Sequence, residues 1–345
     1  MQRIPTLDGW RGFAILLVLA SHVQAGLTGH VWRFNWMDVG KHGVTIFFVL
    51  SGFLITSRIL DDPSFRLATF YRRRFFRLAP VALLYLAVIV LLRIILHARP
   101  IATDLWSCLF LFRNYVAENP SNALTSHFWS LSIEEQFYLF WPSVLVLFGR
   151  RLSLRVAGVI VAGIALFRLQ HWDAYLAKSL RTEVRMDALL VGCALALLMR
   201  NTKVRQCFLR YNTLAILFAA SVFLLCVYRF QVLMPLQESL AIAVLLGCTS
   251  AQPGNRLSRI LEARPLKFLG VISYSLYLWQ ELFLVPHWGK ALAPFMFALL
   301  FVTAYLSYEL IERPCIAFGR RRKNVPSAYA DRSSPLHSEL SGVDS

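Results

Sequence analysis

Residues 10–27 read WRGFAILLVLASHVQAGL, an apolar run with Arg11 near its start and His22 eleven residues later. On an α-helix eleven residues make about three turns and advance roughly 16 Å. Arg11 and His22 therefore share one face, with Asp8, Ile15 and Val18, at two depths of a membrane. Lipid disfavours stray ionisable groups, so this face is expected to look into protein or a water-filled cavity. A cleaved signal peptide is the plainer reading. The run is longer than a usual signal core, and cleavage would discard both polar residues.

The same pattern recurs along the chain. The 345 residues are 57% hydrophobic, which excludes an ordinary soluble globule. Ten apolar stretches stand out, at about 10–28, 41–60, 79–97, 131–148, 155–170, 186–200, 212–229, 235–249, 269–286 and 291–310. The stretches at 131–148 and 186–200 are short for a bilayer. This predicts an all-α polytopic membrane protein of about ten transmembrane helices over residues 1–323. Residues 324–345 are expected to form a disordered cytoplasmic tail.

The formal charge is +17, with the Arg and Lys residues set between apolar runs. That placement points to membrane loops rather than to nucleic acid. Alternate linkers hold 22 and 10 Lys/Arg, so both termini are expected in the cytoplasm. The six cysteines are scattered without a C-x-x-C pair. They suggest neither a disulfide framework nor a zinc site, and no metal is expected.

Several polar clusters interrupt the apolar runs. Gly43 and Gly52 in the second span permit close helix approach, and Ser51 can hydrogen-bond across an interface. FYRRRFFRLAP at 70–80 puts Arg73, Arg74 and Arg77 side by side at helical spacing. Guanidinium groups grip phosphate oxygens with paired hydrogen bonds. An anchor to lipid headgroups and a site for a phosphorylated donor both fit. Glu134 and Glu135 open the fourth span. They point about 100° apart on a helix, so only one is expected to face a given site. Arg185 and Asp187 enter span six as a candidate ion pair. Pro314 is expected to end the last helix, with Glu312 pairing a cytoplasmic Arg.

Together these stretches resemble the acyltransferase-3 family of integral membrane O-acyltransferases. The matching pieces are Arg11-x10-His22, GVTIFFVLSGFLIT at 43–56, FYRRRFFRLAP at 70–80 and HFWSLSIEEQFYLFWP at 127–142. RMDALLVGCALA at 185–196, SYSLYLW at 273–279 and ELIERP at 309–314 complete the set, in the family's order. The resemblance implies ten helices and transfer of an acyl group, usually acetyl from acetyl-CoA, to a hydroxyl of a sugar or glycosylated product. It implies a bacterial cytoplasmic (inner) membrane setting and acyl-CoA as a donor substrate, with no permanently bound cofactor. The family's first-helix Arg and His fall on Arg11 and His22. Its cytoplasmic R-x-x-R falls on Arg74 and Arg77, with Arg73 beside them. Its Glu after W-S-L-x-x falls on Glu134. Thr45 stands where relatives often have Asp, and Gln280 where many have His.

A sugar hydroxyl needs a base with a pKa near 7, which suits His22. His22 could instead accept the acyl group and relay it. Glu134 would orient the imidazole or hold the acceptor hydroxyl. Arg11 would stabilise the oxyanion or bind donor phosphate. Arg74 and Arg77 would hold the CoA phosphates. His127 is the next candidate base. Intramembrane His, Glu and Arg also serve proton relays, so a glycoconjugate transporter or flippase is the alternative. No paired half-repeats with broken helices support it.

Overall fold

The computed structural model describes residues 5–28, 33–34, 37–97, 102–117, 120–228, 234–284 and 291–320. The expected tail at 324–345 lies outside the described residues. The protein is an all-α bundle. In order the helices are α1 (Pro5–Thr28), α2 (Val39–Asp61), α3 (Leu67–Ile95), α4 (Ala102–Leu109), α5 (Phe128–Gln170), α6 (Trp172–Ala177), α7 (Thr182–Arg185) and α8 (Asp187–Leu198). Then come α9 (Thr202–Arg210), α10 (Asn212–Tyr228), α11 (Met234–Ala251), α12 (Arg256–Leu261), α13 (Arg264–Val271), α14 (Ser273–Leu284), α15 (Ala293–Ser307) and α16 (Arg313–Arg320). The only extended pairing among the described residues joins Arg33–Phe34 to Met37–Asp38.

The apolar stretches fall on helices to within a few residues at their ends, except that 269–286 straddles the end of α13 and all of α14, with 285–286 outside the described residues. Four helical segments are long and apolar enough on their own to cross a bilayer: Val39–Asp61, Leu67–Ile95, Ala123–Gln170 and Ala293–Arg320. Helix α9 meets α10 at 82°, so these two form a bent pair. Helix α8 has 12 residues, most of them buried. At about 1.5 Å per residue it is too short to span the hydrocarbon by itself and serves as a core helix.

The stretches at 131–148 and 155–170 run on into one another as α5, with a break at Gly149 (φ 67°, ψ −179°). Glycine takes this positive φ without a Cβ clash. The Ser153 hydroxyl donates to the Val144 carbonyl at 3.4 Å. Nine residues along a straight helix would hold them about 13 Å apart. The chain therefore doubles back at Gly149, and the two stretches form separate limbs.

The bundle is centred on α1 and α2. Helix α1 packs against α2 and α13, and α2 packs against α8. The α2–α8 crossing is reciprocal: a Cβ on Gly52 would sit 1.9 Å from the Leu189 carbonyl oxygen, and one on Gly192 would sit 2.0 Å from that of Val49. Gly43 meets the Ala14 carbonyl in the same way, as its spacing in the sequence suggests.

The last helix does not end at Pro314. Residues Tyr308–Glu312 form a π-turn, and α16 follows with Pro314 as its second residue. The wider π winding before it, where the Arg313 N–H bonds to the Tyr308 carbonyl five residues back, accommodates a proline that regular α winding would not. Ten crossings with both termini inside make a checkable demand. A reporter active only outside the cytoplasm, fused after Gly319, should stay silent; a bright signal there would reverse the orientation.

Candidate active site

A cavity of about 180 Å³ runs between α1, α2, α3, α5 and α14. On α2 its wall extends from Val44 past Ser51 to Arg58, about 21 Å at helical rise. On α5 it carries Ser130, Glu134 and Tyr138, one turn apart.

The cavity is lined by Arg11, Arg74, Arg77 and Glu134, all singled out in the sequence, and also by Arg58, which the sequence reading did not single out. Arg73 is not among its lining residues. The four guanidinium groups are not equivalent. Arg74 donates from Nε to Glu135 Oε1 at 2.6 Å and from Nη2 to Glu134 Oε1 at 3.0 Å. Its Cζ lies 3.4 Å from the centre of the Tyr138 ring, a cation–π contact. Ser51 donates to the same Glu134 oxygen at 2.8 Å. Both glutamates therefore serve one cation. Only Glu134 is among the residues that line the cavity, in keeping with the roughly 100° between the two side chains, while the guanidinium fork reaches both carboxylates. Arg11 pairs with Asp8 at 3.3 Å. Among the described residues no carboxylate lies within 4 Å of Arg58 or Arg77.

His22 is not in the cavity wall. Its Nδ1 lies 2.8 Å from the Val18 carbonyl oxygen. A carbonyl only accepts, so Nδ1 carries a proton and Nε2 is the ring nitrogen that can gain one. Nε2 lies 3.5 Å from Glu281 Oε1. The orienting carboxylate is thus Glu281, not Glu134, which Arg74 and Ser51 hold elsewhere. Glu281 also accepts from the Ser126 hydroxyl at 3.2 Å and lies 3.8 Å from His127 Nδ1. Two histidines flank one buried carboxylate. His127 is 3% exposed, and neither ring nitrogen has a hydrogen-bond partner among the described residues. Glu281 follows Gln280 directly in the motif. The sequence reading marked Glu281 as part of a polar stretch in an apolar span but gave it no role, weighing instead Gln280, about 100° away on the helix.

The cavity and the histidine cluster meet at two hydroxyls. Ser130 and Tyr277 both line the cavity, and their oxygens lie 2.5 Å apart. Tyr277 donates to the His127 carbonyl at 2.9 Å. The two ring centroids, His127 and Tyr277, are 5.6 Å apart.

Residues 4–310 match the family described as Acyltransferase domain, acyltransferase-3. The chain belongs to this acyltransferase family. It is 32% identical to the putative peptidoglycan O-acetyltransferase YrhL of Bacillus subtilis, over 92% of this chain and 56% of that one. It is 29% identical to the peptidoglycan O-acetyltransferase OatA of Listeria monocytogenes, over 90% and 55%. It is 26% identical to the O-acetyltransferase OatA of Staphylococcus aureus strain NCTC 8325 / PS 47, over 90% and 57%. The chain thus spans about half the length of these relatives. No solved structure matches it.

The acyltransferase family's departures in this chain have local consequences. Asp187 does pair, but with Arg168 Nη2 at 2.6 Å and not with Arg185. Arg185, 5% exposed, donates to the Thr45 hydroxyl at 2.9 Å. An Asp at position 45, the residue expected there from the resemblance, would meet that guanidinium as a carboxylate. Here a neutral hydroxyl takes its place. Glu312 also differs from expectation. It accepts from Ser275 at 2.8 Å, and among the described residues no Arg lies within 4 Å of it; Arg313 reaches back to Glu309 instead.

Proposed function

We propose that the protein is a membrane-bound O-acyltransferase that moves an acyl group, acetyl in the first instance, from acyl-CoA to a carbohydrate hydroxyl. One observation carries the reading. A single cavity joins two guanidinium groups without carboxylate partners, Arg58 and Arg77, to a hydroxyl pair that abuts a His–Glu–His cluster. An anionic head and an uncharged acyl tail match the two ends. Family membership supports transfer over the flippase alternative. The relatives' names point to a peptidoglycan glycan as acceptor. The basic linkers support a cytoplasmic donor and a bacterial cytoplasmic membrane setting.

In this reading Arg58 and Arg77 hold the donor phosphates. Arg74 shapes the wall and holds Glu134 and Glu135 in place. Arg73 flanks the mouth. Arg11 adds positive potential midway along the cavity. The acceptor hydroxyl oxygen attacks the thioester carbon while His22 Nε2 takes its proton. Glu281 stabilises the imidazolium that forms. As the tetrahedral intermediate collapses, the C–S bond breaks and the proton returns to the departing CoA sulfur. Products are the O-acyl sugar and CoA thiol.

The test uses the purified full chain in lipid nanodiscs, acetyl-CoA labelled in the acetyl group, and a soluble peptidoglycan fragment. Label should appear as an ester on the sugar. Arg58→Ala with Arg77→Ala should weaken acetyl-CoA binding by about 10²- to 10⁴-fold, since each charged hydrogen bond is worth roughly 1.5–3 kcal/mol in general. Lys at both positions should rescue only in part, because Lys lacks the planar fork. Parental affinity in the double Ala variant would remove these residues from the donor site.

A further inference from the structure

The hydroxyl pair at the inner end of the cavity has a proton to offer. Ser130 and Tyr277 each bring one O–H. The protein acceptors in reach are the His127 carbonyl oxygen, 2.9 Å from Tyr277 and 3.3 Å from Ser130, and each other's oxygen. One proton satisfies the carbonyl. The second is held only by the partner hydroxyl, so it can turn to a ligand oxygen without stranding a buried group.

Both residues line the cavity, and both are held from behind. Ser130 lies in the first turn of α5. Tyr277 packs edge-on against Phe47, with centroids 6.5 Å apart. The pair is separated along the cavity from Arg58 and Arg77, and it is the part of the wall next to His127. A group that stabilises developing negative charge must already be in place when that charge appears.

We propose that the Ser130 and Tyr277 hydroxyls bind the thioester carbonyl oxygen of the donor and stabilise the oxyanion formed on attack. This assignment rests on the acyl-CoA reading above. When the acceptor oxygen bonds to the carbonyl carbon, the C=O π electrons move onto that oxygen. The hydroxyl pair donates to it, and the electrons return as the C–S bond breaks. No proton is transferred to the oxyanion, and the pair leaves the cycle unchanged.

The test follows acetyl-CoA carrying ¹³C at the acetyl carbonyl, bound to the full chain in nanodiscs, by infrared difference spectroscopy. In the parent the bound carbonyl band should fall below its position in Tyr277→Phe and in Ser130→Ala. Each variant should lose roughly 10²- to 10³-fold in kcat, with acetyl-CoA affinity within about threefold of the parent. Ser130→Thr should recover most of what Ser130→Ala loses, in band and in rate. If Tyr277→Phe unfolds, the Ser130 pair of variants carries the test alone. An unchanged band and rate in the Ala variant would overturn the hydroxyl assignment and leave the donor site standing. Failure of the parent to bind acetyl-CoA would overturn the donor reading itself.

Discussion

His22→Gln is expected to lower acyl transfer by about 10²- to 10⁴-fold, the range typical for a lost general base. Donor binding should stay at its parental level, because His22 lies outside the cavity wall. The glutamine amide can still donate to the Val18 carbonyl, which now receives Nδ1 at 2.8 Å. It cannot accept a proton, and that is the property removed. His22→Ala should match it in rate. Kinetics at saturating acetyl-CoA, with thermal unfolding as a control, check both. Near-parental turnover in the Gln variant would make His22 a structural hydrogen bonder and turn attention to His127. Should acetyl-protein accumulate on the parent without acceptor and vanish in the variant, His22 would be an acyl carrier rather than a base.

Asp187→Ala is expected to destabilise the fold by about 3–5 kcal/mol, the cost usual for breaking a buried ion pair on one side. The Arg168–Asp187 pair is 0% and 1% exposed. Removing the carboxylate takes away the counter-charge 2.6 Å from the guanidinium, while Arg168 keeps its bond to the Val184 carbonyl at 3.2 Å. Thermal unfolding in nanodiscs should show the loss. Arg168→Met combined with Asp187→Leu should recover much of it, because an apolar pair has no charge to bury. A single Asp187→Ala variant as stable as its parent would mean that water reaches this pair.

What the sequence disclosed and what it withheld divide along a physical line. Apolar runs of membrane length fix helices locally, so all ten stretches could be placed. The small-residue rule foretold the Gly52 and Gly43 approaches, and Ser51 does cross an interface to Glu134. Four of the residues singled out in the sequence, Arg11, Arg74, Arg77 and Glu134, do meet around one cavity. Pairings were another matter. Arg74 reaches Glu134 across 60 positions of chain, and His22 and Glu281 are further apart still. Helical wheels say which face a residue takes but not which helix lies opposite. Asp187 was matched to Arg185 because they are neighbours in sequence; the fold-back at Gly149 delivers Arg168 instead. Arg58 looked like one more basic linker residue, since nothing local distinguishes a cation with a carboxylate from one without.

The π-turn at Tyr308–Glu312 bears on how this chain tolerates length changes. Such a turn holds one residue more than the α-helical winding around it. It therefore behaves as an insertion absorbed within a continuous helix. Every residue beyond it is turned by about 100° from where unbroken α winding would set it. Phe318, whose ring lies 5.0 Å from that of Phe76, and Gly319, pressed against the same Phe76 side chain, owe their docking on α3 to that one extra residue. Deleting a single position inside the turn would close the backbone into regular helix, yet it would swing this terminal face away from α3. The segment is thus less forgiving of a deletion than of many substitutions, and family members that differ in length here would need a matching change on α3.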